Sequence, residues 1–292
     1  MKISVSPHIK SRNSIEKEMW YVVLALVPAA VFGSYIFGAN AIWIIVLSIS
    51  SALLTEALMQ KLRKKPITIY DGSAFITGLL LALVLPPTAP LWIPVSGAVF
   101  AVAIGKHAFG GLGLNIFNPA LVGRAFLVSS WPIIMTTWVG PDGVTGATPL
   151  ATGEAMYKNM FLGLTGGTIG ETSALLLLLG ALFLFYKKII SWRISLSYIA
   201  AVFVLSFVFK QDPLFNILAG GLMLGALFMA TDPVTSPITK NGRLIFGIGC
   251  GVLTVIIRFF SNLPEGVMYS ILLMNGLTPL IDRYTKQKPF GK

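Results

Sequence analysis

Met19-Trp20-Tyr21-Val22-Val23-Leu24-Ala25-Leu26-Val27-Pro28-Ala29-Ala30-Val31-Phe32-Gly33-Ser34-Tyr35-Ile36-Phe37-Gly38 runs without a single charged side chain. At 1.5 Å per residue, a helix of this length covers about 30 Å, the hydrocarbon thickness of a bilayer. The polar stretch 1–18 ahead of it mixes both charge signs, which reads as a tail before a first membrane helix and not as a cleavable leader. Nine more apolar segments follow, so the run reads as the first of ten: 19–38, 41–60, 72–86, 91–109, 117–138, 172–187, 193–209, 213–230, 243–261 and 265–284. The third, fifth and eighth are short or interrupted by Gly and Pro, which predicts tilted or broken helices there. Composition agrees. The 292 residues are 55% hydrophobic and 11% charged, with mean hydropathy +0.81, against about 25% charged in soluble chains. The expectation is an all-α integral membrane protein.

The net charge of +11 raises the question of nucleic acid. The basic residues sit in short loops beside apolar helices, which is how orientation in a membrane is encoded, so no nucleic-acid partner is expected. With the N-terminus inside, 18 of the 22 Lys and Arg fall on the inner side, including Lys61, Arg63, Lys64, Lys65 and Lys106. Both termini are then cytoplasmic, and the loop 139–171 faces outward. The expected divisions are a cytoplasmic tail 1–18, a first membrane repeat 19–138, the external loop 139–171, a second repeat 172–284 and a cytoplasmic tail 285–292.

The two halves echo each other. Each has a short apolar segment after an acid, Asp71 or Asp212, leading to Pro-x-Thr-x-Pro: Pro86-Pro87-Thr88-Ala89-Pro90 and Pro233-Val234-Thr235-Ser236-Pro237. Asn118-Pro119 with Arg124, and Asn275 with Pro279 and Arg283, recur near the last segment of each half. Five segments per half is an odd number, so the two repeats insert in opposite orientations, as in many transporters.

The outer loop holds Asp142-Gly143-Val144-Thr145-Gly146-Ala147-Thr148. Gly and Thr serve ordinary surface turns as well. The order Asp-x-x-Ser/Thr-Gly-Ala-Thr, however, resembles an acceptor onto which a dedicated transferase moves FMN, leaving the last threonine hydroxyl in a phosphodiester. Small residues at Gly146 and Ala147 let an external enzyme seat that hydroxyl. Cys250 is the only cysteine, and His8 and His107 are the only histidines. One cysteine does not hold an iron–sulfur cluster, which needs about four ligands. A redox centre belonging to this chain is therefore expected to be organic.

Taken with the ten segments and the paired Pro-x-Thr-x-Pro elements, the loop motif makes the chain resemble the RnfD/NqrB family over nearly its whole length. These are membrane flavoprotein subunits of ion-pumping oxidoreductases. The short tail Ser4-Val5-Ser6-Pro7-His8-Ile9-Lys10 is closer to the RnfD branch. The resemblance implies a fold similar to urea transporters, although Leu85-Pro86-Pro87-Thr88-Ala89-Pro90 is one residue shorter than that signature. It implies covalent FMN on Thr148, which makes the chain a phosphoprotein, with Asp142, Thr145 and Gly146 read by the flavin transferase. The bacterial inner membrane is the implied location. The implied partners are the other subunits of the Rnf complex, including a second flavinylated one.

Asn115-Ile116-Phe117-Asn118-Pro119-Ala120 resembles the family's Asn-x-x-Asn-Pro stretch, which implies a second, non-covalent riboflavin. Two readings fit Asn118: amides at i and i+3 on one helix face bonding a ring edge, or an N-cap before Pro119. Thr148 outside and Asn115 and Asn118 inside would put two flavins at opposite membrane faces. Glu56 and Asp232 are the acids in apolar surroundings and so are candidates for an ion path, for Na+ or protons. Glu56 also stands about a turn from Lys61 and Arg63, and Asp232 suits a turn. Gly220, Gly221 and Gly225, with Gly247, Gly249 and Gly251, sit in apolar stretches and are read as helix-packing positions, not as a nucleotide loop. A passive urea-like transporter and a quinone-reducing enzyme subunit are the competing functions on this scaffold.

Overall fold

A computed structural model of the chain describes residues 14–138, 140, 157–171, 173–261 and 266–286. The described residues are predominantly helical, and none of them forms a strand. Helix lies in each of the ten apolar segments. Helices α1 (Ile15–Phe37), α2 (Ala39–Leu62), α3 (Ser73–Leu83), α4 (Trp92–Phe100), α5 (Pro119–Ser130) and the short α6 (Pro132–Met135) occupy the first half. Helices α7 (Tyr157–Leu162), α8 (Ala174–Tyr186), α9 (Trp192–Val208), α10 (Pro213–Leu218), α11 (Leu222–Leu224), α12 (Lys240–Phe260) and α13 (Gly266–Tyr284) follow. α4 and α11 continue into π-helical turns at Ala101–His107 and Gly225–Met229. Helices α1, α2 and α12 are long and apolar enough to cross a membrane, and α3, α8 and α9 are shorter apolar helices. The protein is a helical membrane protein.

Capping explains where these helices begin. Ser14 accepts from the Lys17 N–H at 3.3 Å, with Glu16 and Glu18 in the first turn of α1 to complement its dipole. Asp71 and Asp212, the acids matched between the halves, both stand just ahead of a helix, Asp212 as the N-cap of α10 and Asp71 one residue before Gly72, the N-cap of α3. Asp71 Oδ1 accepts from the Ser73 N–H at 2.8 Å, and Asp212 Oδ1 from the N–H groups of Leu214 at 3.0 Å and Phe215 at 3.2 Å. The third, fifth and eighth segments are the interrupted ones, as the sequence predicts: α3 stops at Leu83, α5 breaks at Trp131, and α10 and α11 are separated at 219–221.

α2 packs on α3 and α4, while α9 packs on α12, and α12 on α13. The halves meet through α1 against α8 and α5 against α13. Glycine permits the tightest crossings. A Cβ on Gly78 would lie 2.7 Å from Ile49 Cα, and one on Gly247 2.6 Å from the Ile194 carbonyl oxygen. Gly247, Gly251 and Gly225 are thus packing positions, as read from the sequence. Gly220 and Gly221 correct that reading. With φ of 64° and 67° they form the break itself, in a left-handed conformation that side chains disfavour.

A break in a membrane helix frees carbonyls that lipid cannot satisfy. The protein supplies the donors. Ile169 N–H bonds the Leu85 carbonyl at 3.1 Å and Gly170 N–H that of Leu83 at 2.7 Å, so the stretch before α8 lines the break after α3. At the other break, the Arg258 guanidinium donates to the carbonyls of Asn216, Ala219 and Gly220 at 2.6, 2.9 and 3.1 Å.

Candidate functional site: a cavity beside a buried charge cluster

The start of α1, α3, the end of the fourth segment, the end of α8 and the stretch 231–234 enclose a cavity of about 80 Å³. Its polar border is Glu18, Ser73, Thr77, Lys106, Asn115, Asn118, Thr231 and Asp232. The remainder is largely apolar, with Met19, Val22, Ile76, Leu80, Leu184 and Phe228 prominent. The lining, an apolar slot with a few fixed polar groups, is of the kind that holds an organic ligand.

Three residues singled out in the sequence therefore come together here: Asn115, Asn118 and Asp232. Their roles differ from expectation. The two asparagines do not share a helix face, because Asn115 precedes the helix and α5 starts only at Pro119. Pro119 has no N–H to give and so sits naturally in the first turn. Asn118 is the N-cap: its Oδ1 accepts from the N–H groups of Ala120 at 3.0 Å and Leu121 at 3.4 Å. Its Nδ2 donates to the Met229 carbonyl at 3.2 Å, so the amide is already committed on both sides. Asn115 is different. Its Nδ2 bonds the Phe117 carbonyl at 3.2 Å, while its buried Oδ1 has no partner among the described residues. An orphaned acceptor on the wall of an apolar cavity fits a ligand that brings an N–H, as an isoalloxazine ring does. Asp232 is half-buried and accepts from the Thr235 hydroxyl at 3.0 Å and the Val234 N–H at 3.5 Å, so it serves the turn while bordering the cavity.

Glu56 lies behind the cavity wall. It does not pair with Lys61 or Arg63, whose side chains are exposed. It is 1% exposed, and its Oε2 receives the Lys106 ammonium at 2.9 Å, with Lys106 also 1% exposed. Lys106 is thus not a loop charge, which corrects its placement among the inner basic residues. The pair is surrounded by further bonds. Lys106 Nζ donates to Ser73 Oγ at 2.7 Å, Gln60 Nε2 to Glu56 Oε1 at 2.9 Å and to Thr68 Oγ1 at 2.9 Å. Thr68 Oγ1 donates to Asp71 Oδ2 at 3.4 Å, and Asp71 Oδ1 receives the Ser73 hydroxyl at 2.6 Å. The bonds close a ring through Glu56, Lys106, Ser73, Asp71, Thr68 and Gln60. A buried ion pair survives desolvation only with such additional partners. His107 adds a second base: its Nε2 is 3.1 Å from Glu56 Oε2 but off the line of a hydrogen bond, and neither ring nitrogen is bonded.

Lys106 and His107 escape a sequence reading because they meet Glu56 only in three dimensions, whereas Gln60 is its i+4 neighbour on α2 and was open to a local reading. The available signal was elimination: Glu56 is an acid in an apolar helix, and Lys106 and His107 close the apolar run that begins at 91. Among the described residues no three His, Cys, Asp or Glu side chains gather as for a transition metal. Thr148, Asp142, Thr145 and Gly146 lie outside the described residues.

Comparison with known proteins gives a consistent result. The NQR2, RnfD, RnfE family model matches residues 2–291. The chain is 50% identical to the D subunit of the proton-translocating ferredoxin:NAD(+) oxidoreductase complex from Clostridium ljungdahlii, over 99% of this chain and 96% of that protein. It is 49% identical to the D subunit of the Na(+)-translocating ferredoxin:NAD(+) oxidoreductase complex from Acetobacterium woodii, over 100% and 95%. It is 42% identical to the D subunit of the ion-translocating oxidoreductase complex from Stutzerimonas stutzeri, over 96% and 93%. Two relatives named for different ions are thus about equally similar to it.

Proposed function

The chain belongs to the NQR2, RnfD, RnfE family, and from that premise we propose that it is the RnfD-type membrane flavoprotein subunit of an ion-translocating ferredoxin:NAD oxidoreductase. Its relatives are named as subunits of such complexes, so it acts with other Rnf subunits and is catalytically incomplete alone. The observation that carries the electron-carrier reading is the cavity, a largely apolar slot bordered by Asn115, whose Oδ1 has no hydrogen-bond partner among the described residues. A flavin there supplies one- and two-electron chemistry. The protein's own part is to bond the ring through Asn115, to hold the site through the cap and cross-link of Asn118, and to place Lys106 at its border.

A second flavin, FMN, is attached to Thr148 through a phosphodiester, in a motif whose Asp142, Thr145 and Gly146 are read by the transferase. The ten segments cross the inner membrane as two inverted repeats in a urea-transporter-like arrangement. The matched placement of Asp71 and Asp212 ahead of a helix and the matched Asn118 and Asn275 support this. The basic loops put both termini in the cytoplasm and Thr148 outside. Electrons then pass between flavins at opposite faces, one of them beside Glu56 and Asp232 on the ion path.

The test is in-gel flavin fluorescence of the denatured subunit made together with its transferase. Fluorescence in the wild type that is lost in Thr148→Ala is the expected result. A dark wild-type band, with the transferase active on a control acceptor, overturns the covalent flavin and leaves a small-solute transporter as the better reading.

A further inference from the structure

We propose that Lys106 is a tethered cation. It occupies a monovalent-cation site at Glu56 and leaves it when negative charge arrives in the cavity. The proposal rests on the cavity as an electron-carrier site and adds to it the element that couples electrons to ions.

Three observations meet at this side chain. The first is what surrounds its ammonium. Glu56 Oε2 and Ser73 Oγ bond it at 2.9 and 2.7 Å, and Gln60, Thr68 and Asp71 complete the ring of oxygen-bearing side chains. A carboxylate oxygen and a hydroxyl oxygen are hard donors of the kind that hold a cation, and the ammonium stands in its place. The second is that Lys106 also borders the cavity, so one flexible stem reaches both the carboxylate and the proposed cofactor space. The third is His107, nine-tenths buried and more, whose Nε2 lies 3.1 Å from Glu56 Oε2, off the line of a hydrogen bond, with neither ring nitrogen bonded. A second basic side chain held ready at the same oxygen is unneeded if Lys106 never moves.

The charges balance in a single exchange. One electron from an iron–sulfur or flavin donor of the complex adds a negative charge in the cavity. Lys106 keeps its proton and turns toward that charge, and a free Na+ takes its place at Glu56. No covalent bond forms or breaks. Oxidation of the cavity group reverses the exchange and expels the ion. The other charged groups bordering the path are Glu18 and Asp232 on the cavity and Asp71 in the ring.

The experiment uses the intact complex as wild type, Lys106→Met, and Lys106→Met combined with Glu56→Gln. Thermal unfolding of the oxidised complexes is followed while Na+ replaces choline at constant ionic strength. The wild type is expected to be insensitive and Lys106→Met to gain a saturable rise in transition temperature, which the double variant loses again. The reduced wild type is expected to acquire the sensitivity that its oxidised form lacks. Should Lys106→Met fail to assemble, Lys106→Gln goes through the same titration. An absent Na+ response in the single variant overturns the proposal. So does a response kept by the double variant, or one that follows pH alone. Riboflavin released on denaturing the wild-type complex is assayed separately. Its absence ends the cavity reading, while the Na+ titration of the oxidised variants still decides whether Lys106 fills a cation site.

Discussion

The backbone N–H of Asn118 donates to the side-chain oxygen of Asn275 at 3.2 Å, joining two residues 157 positions apart that occupy matched places in the two halves of the sequence. Asn275 is fully buried, and its Nδ2 donates on to the Thr235 carbonyl at 3.1 Å. One amide thereby ties the start of α5 to the Pro-x-Thr-x-Pro stretch of the other half.

Replacing it breaks both bonds. Asn275→Ala leaves the buried Asn118 N–H unpaired, while Thr278 still serves the Thr235 carbonyl at 3.0 Å. The expected cost is about 1–3 kcal/mol, the desolvation penalty of a stranded donor. Thermal unfolding in detergent measures it, and a loss within scatter would show that the tie between the halves carries no energy.

Two glycines of similar burial should respond differently to alanine. At Gly78 the new methyl meets backbone, Ile49 Cα at 2.7 Å and the Ser48 oxygen at 2.8 Å, and neither can yield without moving α2. At Gly97 it meets the tip of Leu127, Cδ1 at 2.5 Å, which has another rotamer to take. Gly78→Ala is expected to cost about 3 kcal/mol and Gly97→Ala about 1 kcal/mol. Equal transition temperatures for the two would refute the argument.

Arg258 holds three carbonyls at the break before α11 with one planar fork. Arg258→Met strands them and should destabilise by about 2–3 kcal/mol. Arg258→Lys should recover less than half of that, since an ammonium cannot address three carbonyls in fork geometry. Limited proteolysis around Gly220-Gly221 reports the local effect, and full rescue by lysine would mean that charge alone matters.

Asn115→Leu removes the unpaired oxygen from the cavity and keeps the volume. Free flavin retained by the purified complex should fall about 10- to 100-fold in affinity, corresponding to about 1–3 kcal/mol. In-gel fluorescence of the covalent flavin should not change. Loss of both signals would point to misassembly.

The long helices α1, α2 and α12 were legible because a helix facing lipid has to be apolar along its length, and Met19–Gly38 carries that requirement on its surface. Asp71 and Asp212 were legible as marks ahead of the third and eighth segments for a local reason: such a carboxylate bonds N–H groups only two or three residues further on. Glu56 was legible as a residue that must be explained, but not its partner. Lys106 is fifty positions away, and in one dimension a lysine at the end of an apolar run looks like an orientation signal. The packing of α2 against the end of the fourth segment makes it an ion pair. Gly220 and Gly221 misled in the same way, since a glycine that permits close packing and one that permits a positive φ are the same letter.

The π-helical turns at Ala101–His107 decide where the fourth segment aims its last residues. Such a turn holds about one residue more than an α-helical turn does. Wound as regular α-helix, the same residues would set Lys106 and His107 up to about 100° further around the axis, away from Glu56. Neither the hydropathy of the segment nor any letter of its sequence would differ. The wide turn therefore aims the charge cluster, and the apolar residues that form it do not announce that role.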